Sequence, residues 1–151
     1  MEIERIISFE LHKTLIDQLI VNPKIIVYGK PGIQHRSVGF FSDESIGYKY
    51  SGQFAKSIPM TPALSELLSL VNREFSAEFN GILINRYANG EENIGAHSDD
   101  EASLDRMGVI AISVGAIRKF RIRNKATKEK VIDVPTTPYS IFKKNLLIKR
   151  K

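Results

Sequence analysis

From residue 82 to residue 142 the recognisable elements are all short runs of β character, at residues 82–87, 109–114, 119–123, 131–134 and 139–142. Strands of this kind leave backbone groups and one apolar face unsatisfied, so they require sheet partners. Residues 124–130 are polar and read as a hairpin loop between two of them. The first half opens differently. Phe9, Leu11, Leu15, Ile16, Leu19 and Ile20 recur at roughly helical spacing over residues 9–20, and the pattern stops before Asn22-Pro23. Three β-type runs follow at residues 24–28, 37–41 and 47–50, separated by Gly, Pro, Asp and Ser. A second helix is the clearest element: Thr61 caps it, Pro62 suits its first turn, and Leu64, Leu67, Leu68, Val71 and Phe75 line one face. Helices first and then a series of strands predict an α+β domain with a sandwich or jelly-roll core.

A chain of 151 residues with 42% hydrophobic content suffices for one domain around a single core. The absence of cysteine excludes disulfides and thiolate metal sites and fits a reducing compartment. The start, Met-Glu-Ile-Glu-Arg, lacks the basic and apolar segments of a signal peptide, and no run approaches membrane-spanning length. The expectation is a soluble intracellular protein, cytoplasmic, or nuclear in a eukaryote. Of the formal charge of +5, five units come from Lys143, Lys144, Lys149, Arg150 and Lys151, so the rest of the chain sums to zero. Local charge says more. Arg118, Lys119, Arg121, Arg123, Lys125, Lys128 and Lys130 form a basic stretch in which only Glu129 is acidic. A hairpin so charged either lies along phosphates or is a solvated surface ribbon.

His97 and Asp99 stand two apart just after a β run, and an extended His-x-Asp projects both side chains to one face. They would be two of the three protein ligands of a mononuclear non-haem Fe(II) centre, which takes two histidines and a carboxylate and keeps positions open for co-substrate and O2. The plainer reading is an exposed polar pair. No histidine occurs between Ser98 and Lys151. His12 falls in the first helix and His35 just before residue 37, and both read as surface residues rather than ligands.

Asn85-x-Tyr87, Gly90, Ile94, Gly95, the run His97-Ser-Asp-Asp-Glu101, then Gly115-Ala116 and Arg118-x-Phe120, taken together, resemble the AlkB family. Those enzymes are Fe(II)- and 2-oxoglutarate-dependent dioxygenases that remove alkyl groups from nucleobases. Upstream, Val27-Tyr28-Gly29-Lys30 resembles the hydrophobic finger that in duplex-DNA members fills the gap left by a flipped base. Arg36 matches the arginine of a Pro-Arg pair, with His35 in the proline position, and Tyr48-x-Tyr50-Ser51-Gly52 resembles the base-stacking part of a nucleotide-recognition lid. The match runs over residues 27–142 and is most like the members acting on double-stranded DNA.

The resemblance implies one dioxygenase domain over residues 1–151. Its parts would be N-terminal helices, a finger and lid at 27–52, a double-stranded β-helix (jelly-roll) core at 81–142, and a basic tail or truncated end at 143–151. It implies Fe(II) bound by His97 and Asp99, which would also be the catalytic residues, 2-oxoglutarate contacted by Asn85 and Tyr87, and O2 as co-substrate. Substrate contacts would come from Tyr28, Gly29, Lys30, Arg36, Tyr48, Tyr50, Asp100, Glu101 and Arg118. The three tyrosines also read as strand packing residues, and Arg118 as part of the basic hairpin. The implied function is oxidative demethylation of alkylated bases in DNA, with RNA as a second polymer, as in direct-reversal repair. The alternative is a non-catalytic nucleic-acid-binding remnant or truncated product of such an enzyme.

In the family the strand resembling Pro138-Tyr-Ser-Ile141 leads to the second iron histidine and to two arginines that hold 2-oxoglutarate. Here Phe142 is followed by Lys-Lys-Asn-Leu-Leu-Ile-Lys-Arg-Lys. The expectation is a truncation, frameshift or internal deletion that leaves the iron one ligand short and removes the bidentate salt bridge to the co-substrate.

Overall fold

The computed structural model describes residues 2–7, 9–50, 53–97 and 107–144, with backbone alone at residues 9–12, 50 and 144. The chain divides into two compact units, one carrying the described residues up to Gly95 and the other carrying Ala96, His97 and residues 107–144. In chain order the first unit holds α1 (Glu2–Ile6), α2 (Phe9–Ile16), β1 (Ile20–Val21), β2 (Lys24–Val27), β3 (Lys30–Ile33), β4 (Ser37–Phe41), β5 (Gly47–Tyr50), β6 (Gln53–Ile58), α3 (Pro62–Phe75) and β7 (Ile82–Arg86). The second holds β8 (Val109–Ile112), β9 (Arg118–Arg123), β10 (Lys130–Thr136) and β11 (Ile141–Lys144). The described residues are thus mostly β with three helices.

The sheet of the first unit is organised around β4, whose five residues Ser-Val-Gly-Phe-Phe are all buried. A strand covered on both faces needs no polar alternation, which is why this run reads as continuously small and apolar. Along one edge β4 pairs antiparallel with the whole of β7, from Ser37 opposite Arg86 to Phe41 opposite Ile82. Along the other it is shared, with β1 antiparallel at Ser37 and Val38 and β6 parallel at Phe40 and Phe41. β5 closes that edge antiparallel to β6. Gly39 is there for space, since a Cβ would collide with Leu19 and press on the Phe41 ring. Val38, Phe40 and Ala55 form a core cluster with Tyr48 packed against it.

α3 is built from its ends inward. Thr61 is extended and its Oγ1 accepts the Leu64 amide at 3.2 Å, while Ser76 closes the helix in the left-handed region. Leu64, Leu67, Leu70 and Val71 are buried, and Arg5 and Arg73 form ion pairs with Glu66 and Glu2, joining α3 to α1. Asn72 then fixes the exit: its Nδ2 donates to the Phe79 carbonyl and its Oδ1 accepts the Phe79 amide, both at 2.8 Å. That pair aims the chain into β7. Replacing Thr61 by alanine orphans the Leu64 amide and is expected to cost about 1 kcal/mol, read as a lower urea midpoint with unchanged slope.

In the second unit β8 pairs with β11 and β9 with β10, both antiparallel. Phe120 of β9 and Phe142 of β11 stack at a tilt, centroids 5.0 Å apart.

The structure departs from the sequence reading at particular places. The helix expected over residues 9–20 is α2 and ends at Ile16, and Ile20 enters β1, because a two-residue strand pairing with Val38 and Ser37 outweighs local helical spacing. The α1 segment, β3 and β6 are elements the sequence pattern did not mark. Pro31 and Gly32 hide β3, which as half of an isolated hairpin tolerates a proline. On α3 the buried face takes Leu70 in place of Leu68.

Candidate functional site

β2 and β3 are joined by the shortest turn two strands allow. Val27 lies opposite Lys30, leaving Tyr28 and Gly29 as the two turn residues, with φ of 49° and 77°. Two positive φ values define a type I′ turn, the one whose twist suits a hairpin. Gly29 adopts that conformation freely, but a tyrosine does so at a cost, since its Cβ crowds the backbone. Tyr28 is also fully exposed. The sequence thus accepts a strained backbone and places an aromatic ring in water, where it gains no packing. Lys30 beside it is exposed.

The hairpin leads through Gln34 and His35 to Arg36. His35 is exposed, and its carbonyl accepts the Asn93 amide at 3.1 Å. Arg36 is only 6% exposed, and its Nε and Nη1 are buried with no hydrogen-bond partner among the described residues. A buried guanidinium in that state is costly. The register places Asn85 opposite Val38 and Arg86 opposite Ser37, so continuing it by one residue sets Tyr87 level with Arg36. Asn85 is exposed and Tyr87 half-buried. The structure therefore gathers Asn85, Tyr87 and Arg36 at the end of the sheet from which the Tyr28 hairpin departs. The loop beyond β7 is shaped locally. Asn89 Oδ1 accepts the amides of Glu91 and Glu92 at 2.9 and 3.0 Å, and Glu92 Oε2 accepts the Ala88 amide at 2.6 Å.

Tyr48 is half-buried with its ring 5.6 Å from that of Phe40, at 33°, so packing supports it. Tyr50 closes β5 opposite Gln53, and residues 51–52 lie outside the described residues.

In the second unit His97 is exposed on a segment without regular structure, while Asp99, Asp100 and Glu101 lie outside the described residues. Arg118 opens β9 half-buried, its amide donating to Thr136 Oγ1 and its carbonyl accepting from the same hydroxyl, each at 3.1 Å. Among the described residues no three His, Cys, Asp or Glu side chains gather to hold a metal. Of the two expected iron ligands only His97, an exposed imidazole, is among the described residues.

One charged residue of this unit was missed by the sequence reading, which set only Glu129 against the basic stretch. Asp133 of β10 lies opposite Arg121 and takes it in a two-point bridge of 2.7 and 2.8 Å, with Lys119 and Lys130 at 3.8 and 3.9 Å. Once the two runs are paired across the polar loop, alternation puts Asp133 on the face of Arg121, which is the signal that was available. Chiefly through the hydrogen bonds from Arg121, the Asp133 carboxyl falls from its ordinary 3.8 to about 2. Between those values the unfolded chain binds the proton and the folded hairpin does not. The stabilisation is therefore complete above the unfolded value and is lost as pH drops through the folded one. Urea unfolding from pH 5 to pH 2 is expected to show a steeper loss of stability for the parent than for Asp133→Asn.

Residues 10–140 match the model of the 2OG-Fe(II) oxygenase superfamily, and the chain belongs to that family. The DNA oxidative demethylase ALKBH2 of Homo sapiens is 34% identical over 71% of this chain and 41% of its own length. The Arabidopsis thaliana protein of the same name is 28% identical over 84% of this chain and 44% of its own. The human alpha-ketoglutarate-dependent dioxygenase alkB homolog 3 is 39% identical over 45% of this chain and 24% of its own. Within the superfamily the chain is of the AlkB type. It spans about two fifths of the length of the ALKBH2 relatives. Among the described residues no helix is long and apolar enough to cross a membrane.

Proposed function

We propose that this chain carries the finger, lid and part of the jelly-roll core of an oxidative nucleobase demethylase acting on alkylated double-stranded DNA, with RNA as a second substrate. The observation that carries the reading is the type I′ hairpin that holds Tyr28 strained and fully exposed. An extruded base leaves a stacking vacancy, and a preset aromatic ring on a narrow ribbon fills it. Lys30 and Arg36, near that hairpin, suit the flanking phosphates. Asn85 and Tyr87, at the same end of the sheet, suit the carboxylate and keto oxygens of 2-oxoglutarate as hydrogen-bond donors. Tyr48, Tyr50, Asp100, Glu101 and Arg118 complete the substrate contacts in this reading. Fe(II) would take His97 and Asp99, with a further donor beyond those described. When bound with 2-oxoglutarate and O2, it supplies the oxidising power that removes an N-methyl carbon as formaldehyde.

The test is incubation with Fe(II), 2-oxoglutarate and a duplex containing 1-methyladenine or 3-methylcytosine, measuring succinate and unmodified base together. Coupled release of both, dependent on His97, is expected. Lys119 and Lys130, more than half exposed on the β9–β10 ribbon, favour a second reading, a nucleic-acid-binding module without turnover. It predicts duplex binding that requires Tyr28 while succinate stays at background.

A further inference from the structure

The dipeptide Asn-Gly occurs twice in the chain, as Asn80-Gly81 before β7 and as Asn89-Gly90 in the loop after it. In this pair a side-chain amide meets the least hindered backbone nitrogen, because glycine has no Cβ to bar the approach. That nitrogen can attack the asparagine Cγ, and the fold decides which of the two pairs is able to do so. Asn80-Gly81 is held in place. The Asn80 carbonyl accepts the Ser42 hydroxyl at 2.6 Å, and a Cβ on Gly81 would lie 2.5 Å from the Phe40 ring and 3.2 Å from the Phe41 carbonyl. Asn89-Gly90 is exposed, and a Cβ on Gly90 would meet nothing within 4 Å.

Asn89 is also posed for the reaction. Its Oδ1 accepts the amides of Glu91 and Glu92 at 2.9 and 3.0 Å. Two donors on one amide oxygen draw electrons from Cγ, and they stand where the charge of a tetrahedral intermediate develops. The same two bonds shape the loop, which is tied back by the Asn93 amide donating to the His35 carbonyl at 3.1 Å. The bonds that activate Asn89 are therefore the ones that a change at Asn89 removes.

We propose that Asn89 is a self-modifying site, converting to isoaspartate without an enzyme and so loosening the loop that follows β7. The Gly90 nitrogen gives its proton to hydroxide and bonds to Cγ, and negative charge moves to Oδ1. The charge then returns and expels the side-chain nitrogen as ammonia, which takes its last proton from water and regenerates the hydroxide. Water opens the resulting succinimide. Addition at Cγ breaks the new bond and leaves aspartate, whereas addition at the original main-chain carbonyl breaks the old one and leaves isoaspartate; in both the carboxyl proton passes to ammonia, and nothing is oxidised or reduced. In isoaspartate the main chain runs through Cγ and the carboxylate sits directly on Cα, so it no longer spans to the Glu91 and Glu92 amides. The loop leaves β7 beside Tyr87 and is tied to the residue before Arg36, so conversion ages the end of the sheet where the candidate site lies. The reaction needs neither iron nor nucleic acid.

The test ages the full chain at mildly alkaline pH, folded and in unfolding guanidinium chloride, and follows both Asn-Gly peptides by mass spectrometry with chromatographic separation of aspartyl and isoaspartyl forms. Asn80 is expected to convert roughly tenfold or more slowly in the folded chain than in the unfolded one, because its pair must first open locally. Asn89 is expected to convert at least as fast folded as unfolded. Gly90→Ala places a methyl group in open space, so circular dichroism should show the parental fold while conversion at Asn89 slows and that at Asn80 stays the same. Hydrogen exchange at the Asn93 amide should quicken once Asn89 has converted. The proposal is overturned by any one of three results: Asn89 as protected as Asn80 in the folded chain, conversion undiminished in Gly90→Ala, or Asn93 exchange unchanged after conversion. None of these measurements reads succinate or demethylated base, so the demethylase reading stands or falls separately.

Discussion

Phe41→Ala is expected to cost about 3–5 kcal/mol, enough to remove much of the stability of a domain that has about 5–15 in all. Phe41 is the last residue of the strand on which the first unit is built, and none of its surface is exposed. Its backbone is paired on both edges, with Ile82 of β7 and Ile58 of β6, so the strand cannot shift to refill the space. The neighbouring Gly39 is already as close to Leu19 and to the Phe41 ring as a residue without a side chain permits. The cavity therefore stays open, and the loss falls at the high end of the range for the substitution. Urea unfolding followed by circular dichroism should show the midpoint falling with an unchanged slope. A loss below about 1 kcal/mol would mean that β4 is not the core strand. Val38→Ala removes a smaller side chain from the same strand and should cost about half as much.

What the sequence revealed and what it hid divide along the range of the interactions. Ser37–Phe41 and Gly47–Tyr50 were readable to the residue, and Thr61-Pro62 marked the start of α3, because local chemistry determines each of them. The β9–β10 hairpin was readable for the same reason, through a polar loop between two β runs. β3 was hidden, since Lys-Pro-Gly-Ile holds two residues that strands avoid and is extended only through pairing with β2. Ile20 was misassigned because its strand partner is eighteen positions away. The candidate site shows the same division. His97 was singled out by its spacing from Asp99, and Asn85, Tyr87 and Tyr28 by resemblance, but no pattern announces that Tyr28 sits at positive φ. Nor does one announce that Arg36 is buried: an arginine between a histidine and a serine looks like a surface residue until the strand that follows it proves to be the central one. Asp133 was overlooked because its importance lies across the ribbon rather than along the chain.

Arg36→Met should make the protein more stable and its duplex binding weaker, and the opposite signs are the point. Arg36 is 6% exposed as a residue, and two of its guanidinium nitrogens, Nε and Nη1, are buried and meet no acceptor among the described residues. Removing such a charge from water costs several kcal/mol, and in the absence of an ion partner little of that is recovered. Methionine has a similar length, no charge and a flexible thioether that fills irregular space. Buried ion clusters replaced by apolar residues of like volume commonly gain about 1–4 kcal/mol, and a cation without a described partner should lie toward the upper half of that range. The gain is measured as a rise in urea midpoint or melting temperature in the absence of nucleic acid. Duplex affinity, measured on the same preparations, should fall because an anion site has been removed. Arg36→Lys is the informative companion: it keeps the charge but not the planar fork, so it should bind duplex weakly and gain no stability. A destabilised Arg36→Met would show that the guanidinium has a structural partner. A stabilised variant with parental duplex affinity would show that the buried charge serves something other than the polyanion. Only a cation held at a cost in the free protein and relieved by a bound phosphate gives both a stabilised apo state and a weakened complex.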